Sequence, residues 1–305
     1  MRFVLMIIGN DPDELLTRYQ AFDGTNEDVR YVKEIDITDE ILESISKWNT
    51  LEGALRDFDI DNIVSDESML EKEKRYIFRC AIVKNGSLVK AVDRRNPNSK
   101  FDECWIGCGR EGFFLLKPHR HGILGEDSIF ELEKAGEKNM GRMADQAYKK
   151  DIDFEETRNR VGEEAKKVYE KTEAFYGGFI PKLQYLWDDP IYNDMSHEEK
   201  IKHCHNQEAM RIVDKANYSI HNIFATPDIE MFQGSKENFI QDAKKKALST
   251  HAVLTKNGWY EIEQRGTSIK TTVRGKIVER WGKVCNDLID SASDDTLLTV
   301  CTCHI

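Results

Sequence analysis

The sequence predicts an α+β fold: a mixed or antiparallel sheet core with the N- and C-terminal strands in one sheet, and a largely helical middle region. Three observations predict it. Residues 2–9 (RFVLMIIG) are almost wholly apolar, as in a strand buried on both faces. The tail TLLTVCTCHI forms a second apolar run, read as a last buried strand. Between them the pattern is strand-like over about 75–117, then helical and highly charged over much of 127–216. A single domain spanning 1–305 is expected, with 127–216 as a helical insertion or subdomain; a two-domain division near 125 is the alternative.

The elements follow in order. Asp11-Pro12-Asp13-Glu14 supplies an N-cap, a first-turn proline and acidic first-turn residues, so a helix is expected to about Phe22. A second helix follows Thr38-Asp39, with Ile41, Leu42, Ile45, Trp48, Leu51 and Leu55 at three-and-four spacing. RYIFRCAIVK and SLVKAVDR flank Asn85-Gly86, a pair suited to a type I′ turn, and read as a hairpin. CWI and GFFLLK are two more short strands. Helical sequence then runs to Tyr176, where Gly177-Gly178 and Pro181 end it, and resumes over about 196–216. ENFIQDAKKKAL reads as a helix and HAVLT as a strand. Lys256-Asn257-Gly258 is a turn, WYEIE a strand, and KIVERWGKVCNDLIDSA a last helix.

At 305 residues and 40% hydrophobic content the chain can bury a sizeable core. No apolar run approaches the roughly 20 residues of a membrane helix. The apolar start breaks at Gly9-Asn10-Asp11, which suits a strand better than an export signal. Seven cysteines without such a signal predict reduced thiols and a cytoplasmic location.

The net charge of −11 is unevenly spread. Residues 1–75 hold 9 Lys/Arg against 19 Asp/Glu, residues 76–150 hold 14 against 10, and residues 151–305 hold 21 against 26. Such a chain repels nucleic acid as a whole, yet its one basic third suits a small anion. No general nucleic-acid binding and no membrane partner are expected.

Gly107-Cys108-Gly109-Arg110-Glu111-Gly112 satisfies GxGxxG letter for letter. A dinucleotide site requires a helix to open at the third glycine, so that its N-terminus meets the pyrophosphate. Here Phe113-Phe114-Leu115-Leu116 is strand-like and Pro118 follows, so the motif reads as a tight turn. Around it, Arg94, Arg95, Arg110, Lys117 and Arg120 offer forks and point charges for phosphate or carboxylate, and Trp105 a stacking surface. The bland alternative is a solvated rim on a sheet.

Metal ligation is a further possibility. His119, His121 and Cys108 are the best first set, ahead of His203-Cys204-His205, whose histidines do not face one another on a helix. Cys301 and Cys303 share one face of a strand while His304 points away. The chain has no CxxC, HExxH or EF-hand loop, and no cofactor is expected. Cys108, between glycines and near an arginine, is a thiolate candidate without a sequence-adjacent base.

The C-terminus Asp294-Asp295-Thr296-Leu297-Leu298-Thr299-Val300-Cys301-Thr302-Cys303-His304-Ile305 resembles a family of uncharacterised bacterial and bacteriophage proteins ending in DDTLLTVxDCHI. Ala252-Val253-Leu254, Lys256-Asn257-Gly258-Trp259-Tyr260-Glu261 and Asp151-Ile152-Asp153-Phe154-Glu155 are similar to further stretches of that family. Asp102, Ile106, Gly107 and Arg110 echo its DWYxIGGRW centre, with Cys108 between the glycines, Glu111 in place of a tryptophan, and Thr302 in place of an acid. The resemblance implies a phage or mobile-element origin and brings no activity with it. The expected function is therefore a non-enzymatic binding protein, a phage-type accessory or anti-defence factor in the host cytoplasm. It would capture a small anionic, nucleotide-like ligand or a host protein through Arg94, Arg95, Trp105, Arg110, Lys117 and Arg120. A metal-dependent or thiol hydrolase is the alternative. An inhibitor whose acidic residues 1–75 imitate nucleic acid charge is the second.

Overall fold

A computed structural model describes residues 2–21, 30–60, 62–66, 68, 79–108, 112–126, 128–129, 142–186, 189–220, 229–261 and 271–305. Among them are eight α-helices and twelve strands in an α+β arrangement, with the first and last strands in one mixed sheet.

The first strand, β1 (Arg2–Ile8), lies between two neighbours. It runs parallel to β10 (Ala252–Thr255) and antiparallel to β12 (Leu297–His304). β11 (Gly258–Glu261) extends the sheet beyond β10. On the far side of β12, β9 (Gln146–Tyr148) pairs with its first residues and β6 (Glu103–Ile106) with its last. Strand β1 is buried on both faces, and its continuous apolar run follows from that. Met6 and Ile8 join Leu298 and Val300 against Trp281, Cys285 and Ile289 of the long helix α8 (Thr271–Ser291). Leu5 and Ile7 face the other way, with Cys301, Cys303, Phe101 and Leu15 of the short helix α1 (Pro12–Thr17).

Asp11 caps α1 as its sequence requires, accepting from the Glu14 amide at 3.1 Å, but the helix stops at Thr17 rather than near Phe22. Gln20 instead bridges to Phe101, and the Ala21 amide donates to the Phe101 carbonyl at 2.7 Å, so tertiary pairing takes over. Phe22 itself lies outside the described residues.

A second sheet has the order β2 (Lys33–Asp36), β5 (Ser87–Arg95), β4 (Arg79–Lys84), β3 (Asn62–Val64). The turn between β4 and β5 has Asn85 at φ 50° and Gly86 at φ 78°, the paired left-handed conformation of a type I′ turn. Its core is covered by α2 (Thr38–Trp48) and α3 (Leu51–Asp57), with Ile41 and Leu55 against Ala81 and Ala91. The sequence predicts one helix here. Asn49 at φ 56° ends α2, and the Thr50 hydroxyl accepts from Gly53 N at 3.0 Å to start α3.

The helical middle also differs from expectation. Residues 130–141 lie outside the described residues, and residues 143–148 form strands rather than helix: β8 (Met143–Ala144) pairs with β7 (Phe114–Leu115), and β9 joins the main sheet. Helix α4 (Phe154–Phe175) begins only after Asp153, whose side chain accepts from Glu156 N at 3.0 Å. Then come α5 (His197–His205), α6 (Glu208–Ile220) and α7 (Lys236–Lys246). Tyr169, Tyr176, Val213 and Phe232 form a separate helical core.

The central position of β12 carries a measurable consequence. Leu298→Ala, at a fully buried site, is expected to cost about 2–5 kcal/mol in denaturant unfolding. Leu42→Ala, at an exposed site on α2, is expected to stay within about 0.5 kcal/mol.

Candidate anion-binding site

The glycine-rich loop is organised by one buried acid. Asp145, between β8 and β9, is fully buried. Its Oδ1 accepts from Phe113 N at 3.1 Å, with the Cys108 thiol 3.8 Å away, and its Oδ2 accepts from Gly125 N at 2.9 Å. Its carbonyl accepts from Val300 N at 2.7 Å, and its own amide donates to Ile123 O at 2.7 Å. Asp145 thus ties both ends of the loop to β12. A Cβ on Gly125 would lie 2.0 Å from the Ile106 carbonyl oxygen, so only glycine permits this approach. After Gly112 the chain enters strand β7 (Phe114–Leu115), not the helix that a dinucleotide fingerprint opens at its third glycine.

The sequence-predicted residues fall on separate elements, with partners of their own. Arg94 on β5 is buried, and its Nε and Nη2 lie 3.3 and 3.2 Å from Glu34 Oε2. Arg95 is 3.5 Å from the buried Asp93 carboxylate. Trp105 on β6 lies under the Arg2 guanidinium, 5.2 Å from the ring centre. Lys117 Nζ donates to the Lys150 carbonyl at 2.7 Å, and Arg120 Nε is 3.3 Å from Asp151 Oδ1. Arg110 lies outside the described residues. His119 and His121 are exposed, and His119 has φ 63°. Cys108 is half-buried, and its neighbour is the Asp145 carboxyl. Among the described residues no group of three or more His, Cys, Asp or Glu side chains is arranged to hold a metal ion.

A different part of the chain builds a concave basic site. A cleft of about 740 Å³ opens among α4, α7 and α8, lined by Glu155, Arg158, Asn159, Gln241, Lys244, Lys245, Lys283 and Asn286. That volume is in the range of small-molecule sites. Four cations, three amides and one carboxylate give it a positive balance inside an acidic protein. Arg158 Nη2 donates to Asn286 Oδ1 at 2.9 Å, and Lys244 Nζ to Asn159 Oδ1 at 2.9 Å. Neither has a carboxylate partner within ion-pair distance among the described residues, unlike Arg94, Arg95 and Arg120. Among the described residues Lys245 and Lys283 pair along their own helices, to Asp242 at 3.3 Å and Asp287 at 2.6 Å. Such exposed pairs contribute little and exchange readily.

Local sequence explains the construction. Gly162 sits mid-helix in α4, where a Cβ would lie 2.4 Å from Lys244 Cε, so its absence lets the Lys244 stem lie across the helix. Asn286 Nδ2 donates to Gly282 O at 2.6 Å and Lys245 O at 3.0 Å, joining α8 to the end of α7 while its oxygen holds Arg158. Lys244, Lys245 and Lys246 also meet the negative end of the α7 dipole. The signals for this site were a glycine inside a charged helix and a lysine triplet at a helix end. Neither is specific, because the lining comes from three distant segments. No family model, no curated protein and no solved structure matches the chain.

Asp145 supplies a test of the loop. Burial raises its carboxyl above the ordinary 3.8, and the Gly125 and Phe113 amides offset only part of that. Between the unfolded and folded values the native state holds more protons, so this group's contribution to stability declines as pH rises through that window. Asp145→Ala leaves buried amides unpaired and is expected to destabilise by about 2–4 kcal/mol. The loss should be largest below pH 3.8 and smaller towards neutrality, as read from unfolding curves of both proteins across pH.

Proposed function

We propose that this protein is a non-enzymatic binder of a small multiply charged anion, a nucleotide-like or other phosphorylated ligand, held in the cleft among α4, α7 and α8. The observation that carries the reading is the pair Arg158 and Lys244. Both line the cleft, and both spend their described hydrogen bonds on neutral amide oxygens. A phosphate entering there gains charge-assisted bonds without breaking a carboxylate pair. Arg158 supplies the planar fork and Lys244 a point charge. Asn159, Gln241 and Asn286 offer amide donors and acceptors for the uncharged part of the ligand. The overall charge of −11 disfavours long nucleic acid, while a small ligand needs only the local potential.

The basic residues around 94–121 serve as the secondary location for such a ligand, since most of them already hold carboxylate or carbonyl partners. In the phage setting that the resemblance implies, a protein that holds a phosphorylated small molecule without converting it acts by sequestration, an anti-defence or accessory role.

Calorimetric titration with inorganic pyrophosphate and with ATP tests the reading. Binding is expected at low ionic strength and should weaken as salt is added. Arg158→Ala and Lys244→Ala should each lower affinity by about tenfold or more. Arg95→Ala and Arg120→Ala should change it by less than about twofold. The ligand should be recovered chemically unchanged. If neither probe binds, or the first two variants bind like the parent, the cleft is not the site.

A further inference from the structure

We propose that Cys104 and Cys303 form a redox site: two thiols on paired strands that close into a reversible cross-strand disulfide when the protein meets a low-molecular-weight disulfide. In the reduced protein the two sulfurs are 3.1 Å apart and neither cysteine is in a disulfide. They are directly opposite in the register of β6 and β12. Position within the ladder makes the pairing possible. Gly107 N donates to Val300 O at 2.9 Å, while Val300 N goes to Asp145 O, so the Val300 backbone faces this edge of the sheet and sets the phase of the hydrogen-bonded pairs. Such pairs alternate in an antiparallel ladder, so the next is Trp105 with Thr302, and Cys104–Cys303 falls at a non-hydrogen-bonded position. There the Cα atoms approach to about 4.5 Å, within the roughly 4.4–6.8 Å span of disulfides. Closure therefore requires rotation of side chains, not movement of strands.

Access and order of attack follow from burial. Strand β6 is at the edge of the sheet and Cys104 is half-buried, whereas Cys303 is fully buried. Cys104 meets the oxidant first. Its thiolate attacks one sulfur of RSSR to give a Cys104–S–SR mixed disulfide and releases RS⁻, which takes up the Cys104 proton as RSH. Cys303, losing its proton to solvent, then attacks the Cys104 sulfur and expels the second RS⁻, which is protonated to RSH. Two thiols are oxidised to one disulfide, and the oxidant is reduced to two RSH. The Cys301 hydrogen bond lowers the Cys104 thiol, but Cys303 and burial together outweigh it and hold it above the usual thiol range, so the first step is slow near neutrality and accelerates with pH. Cys301 lies on the same face of β12, is buried and also hydrogen-bonds the Cys104 thiol, but its register partner is Ile106, so it meets Cys104 diagonally rather than directly across the ladder. The link ties positions 199 residues apart and fastens β6, and the glycine loop that follows it, to the C-terminal strand.

Incubation of the folded full-length protein with glutathione disulfide provides the test. Intact mass should fall by two hydrogens, and peptide mapping after alkylation should place the bond between Cys104 and Cys303. Formation should quicken by up to about tenfold per pH unit, reverse with dithiothreitol, and raise the midpoint of thermal unfolding by about 5 °C or more. Cys301→Ser should still form the link, whereas Cys104→Ser and Cys303→Ser should not. Any of three results overturns the proposal: no reaction in the folded parent, a stable glutathione adduct without a cross-link, or a bond mapped to another pair. Because the parent protein alone gives these readouts, the outcome does not depend on how well a variant folds.

Discussion

The backbone of β12 is hydrogen-bonded on both edges, and the rest of the structure is arranged around that constraint. On one side it runs antiparallel to β1 over Arg2–Ile8; on the other it meets β9 and then β6. A strand paired on both edges and covered on both faces leaves no polar group for water, so its side chains must be apolar or have partners inside. Leu298, Val300, Cys301 and Cys303 meet the first demand. Thr299 meets the second, accepting from Gln146 Nε2 at 2.8 Å, as does Thr302, donating to Gly107 O at 2.9 Å. Because β6 and β9 come from opposite ends of the glycine-rich region, β12 is also what holds that region closed. Asp145 completes the closure, with its carbonyl on β12 and its carboxyl on the loop amides.

Charge in this protein has to be counted after internal pairing rather than along the chain. Residues 76–150 are the one of the three segments with a net positive charge, yet Arg94, Arg95 and Arg120 face carboxylates of their own fold. Arg158 and Lys244, whose partners among the described residues are neutral amide oxygens, lie in a segment whose summed charge is negative. A helix can place its acids on one side and one or two cations on another, and a linear charge count averages over both faces.

Much of the fold was legible because it rests on local chemistry. The unbroken apolar run of β1 needs two buried faces, Asn85-Gly86 needs a left-handed turn, and Asp11-Pro12 needs to start a helix. The errors fell where tertiary contacts overrode local pattern. Ile41, Leu42, Trp48 and Leu51 share a helical period, yet Asn49 breaks the helix, and within α2 Ile41 is buried while Leu42 and Trp48 are exposed. Met143-Ala144 and Gln146-Ala147-Tyr148 look unlike strands because Asp145 and Gln146 are buried polar groups whose partners lie far along the chain.

The sequence by itself determined the α+β class, the pairing of its two apolar ends in one sheet, the hairpin, and the rejection of a dinucleotide fingerprint at residues 107–112. The class, the hairpin and the rejection follow from spacing or backbone preference within a few residues, and the pairing of the ends from two apolar runs that each need burial on both faces. Only the tertiary structure decided which cations pair with carboxylates among the described residues, that 155–159, 241–245 and 283–286 line one cleft, and that Cys104 faces Cys303. Those facts depend on contacts between segments tens to hundreds of residues apart. A linear pattern names the groups available for such contacts, and packing selects the partners.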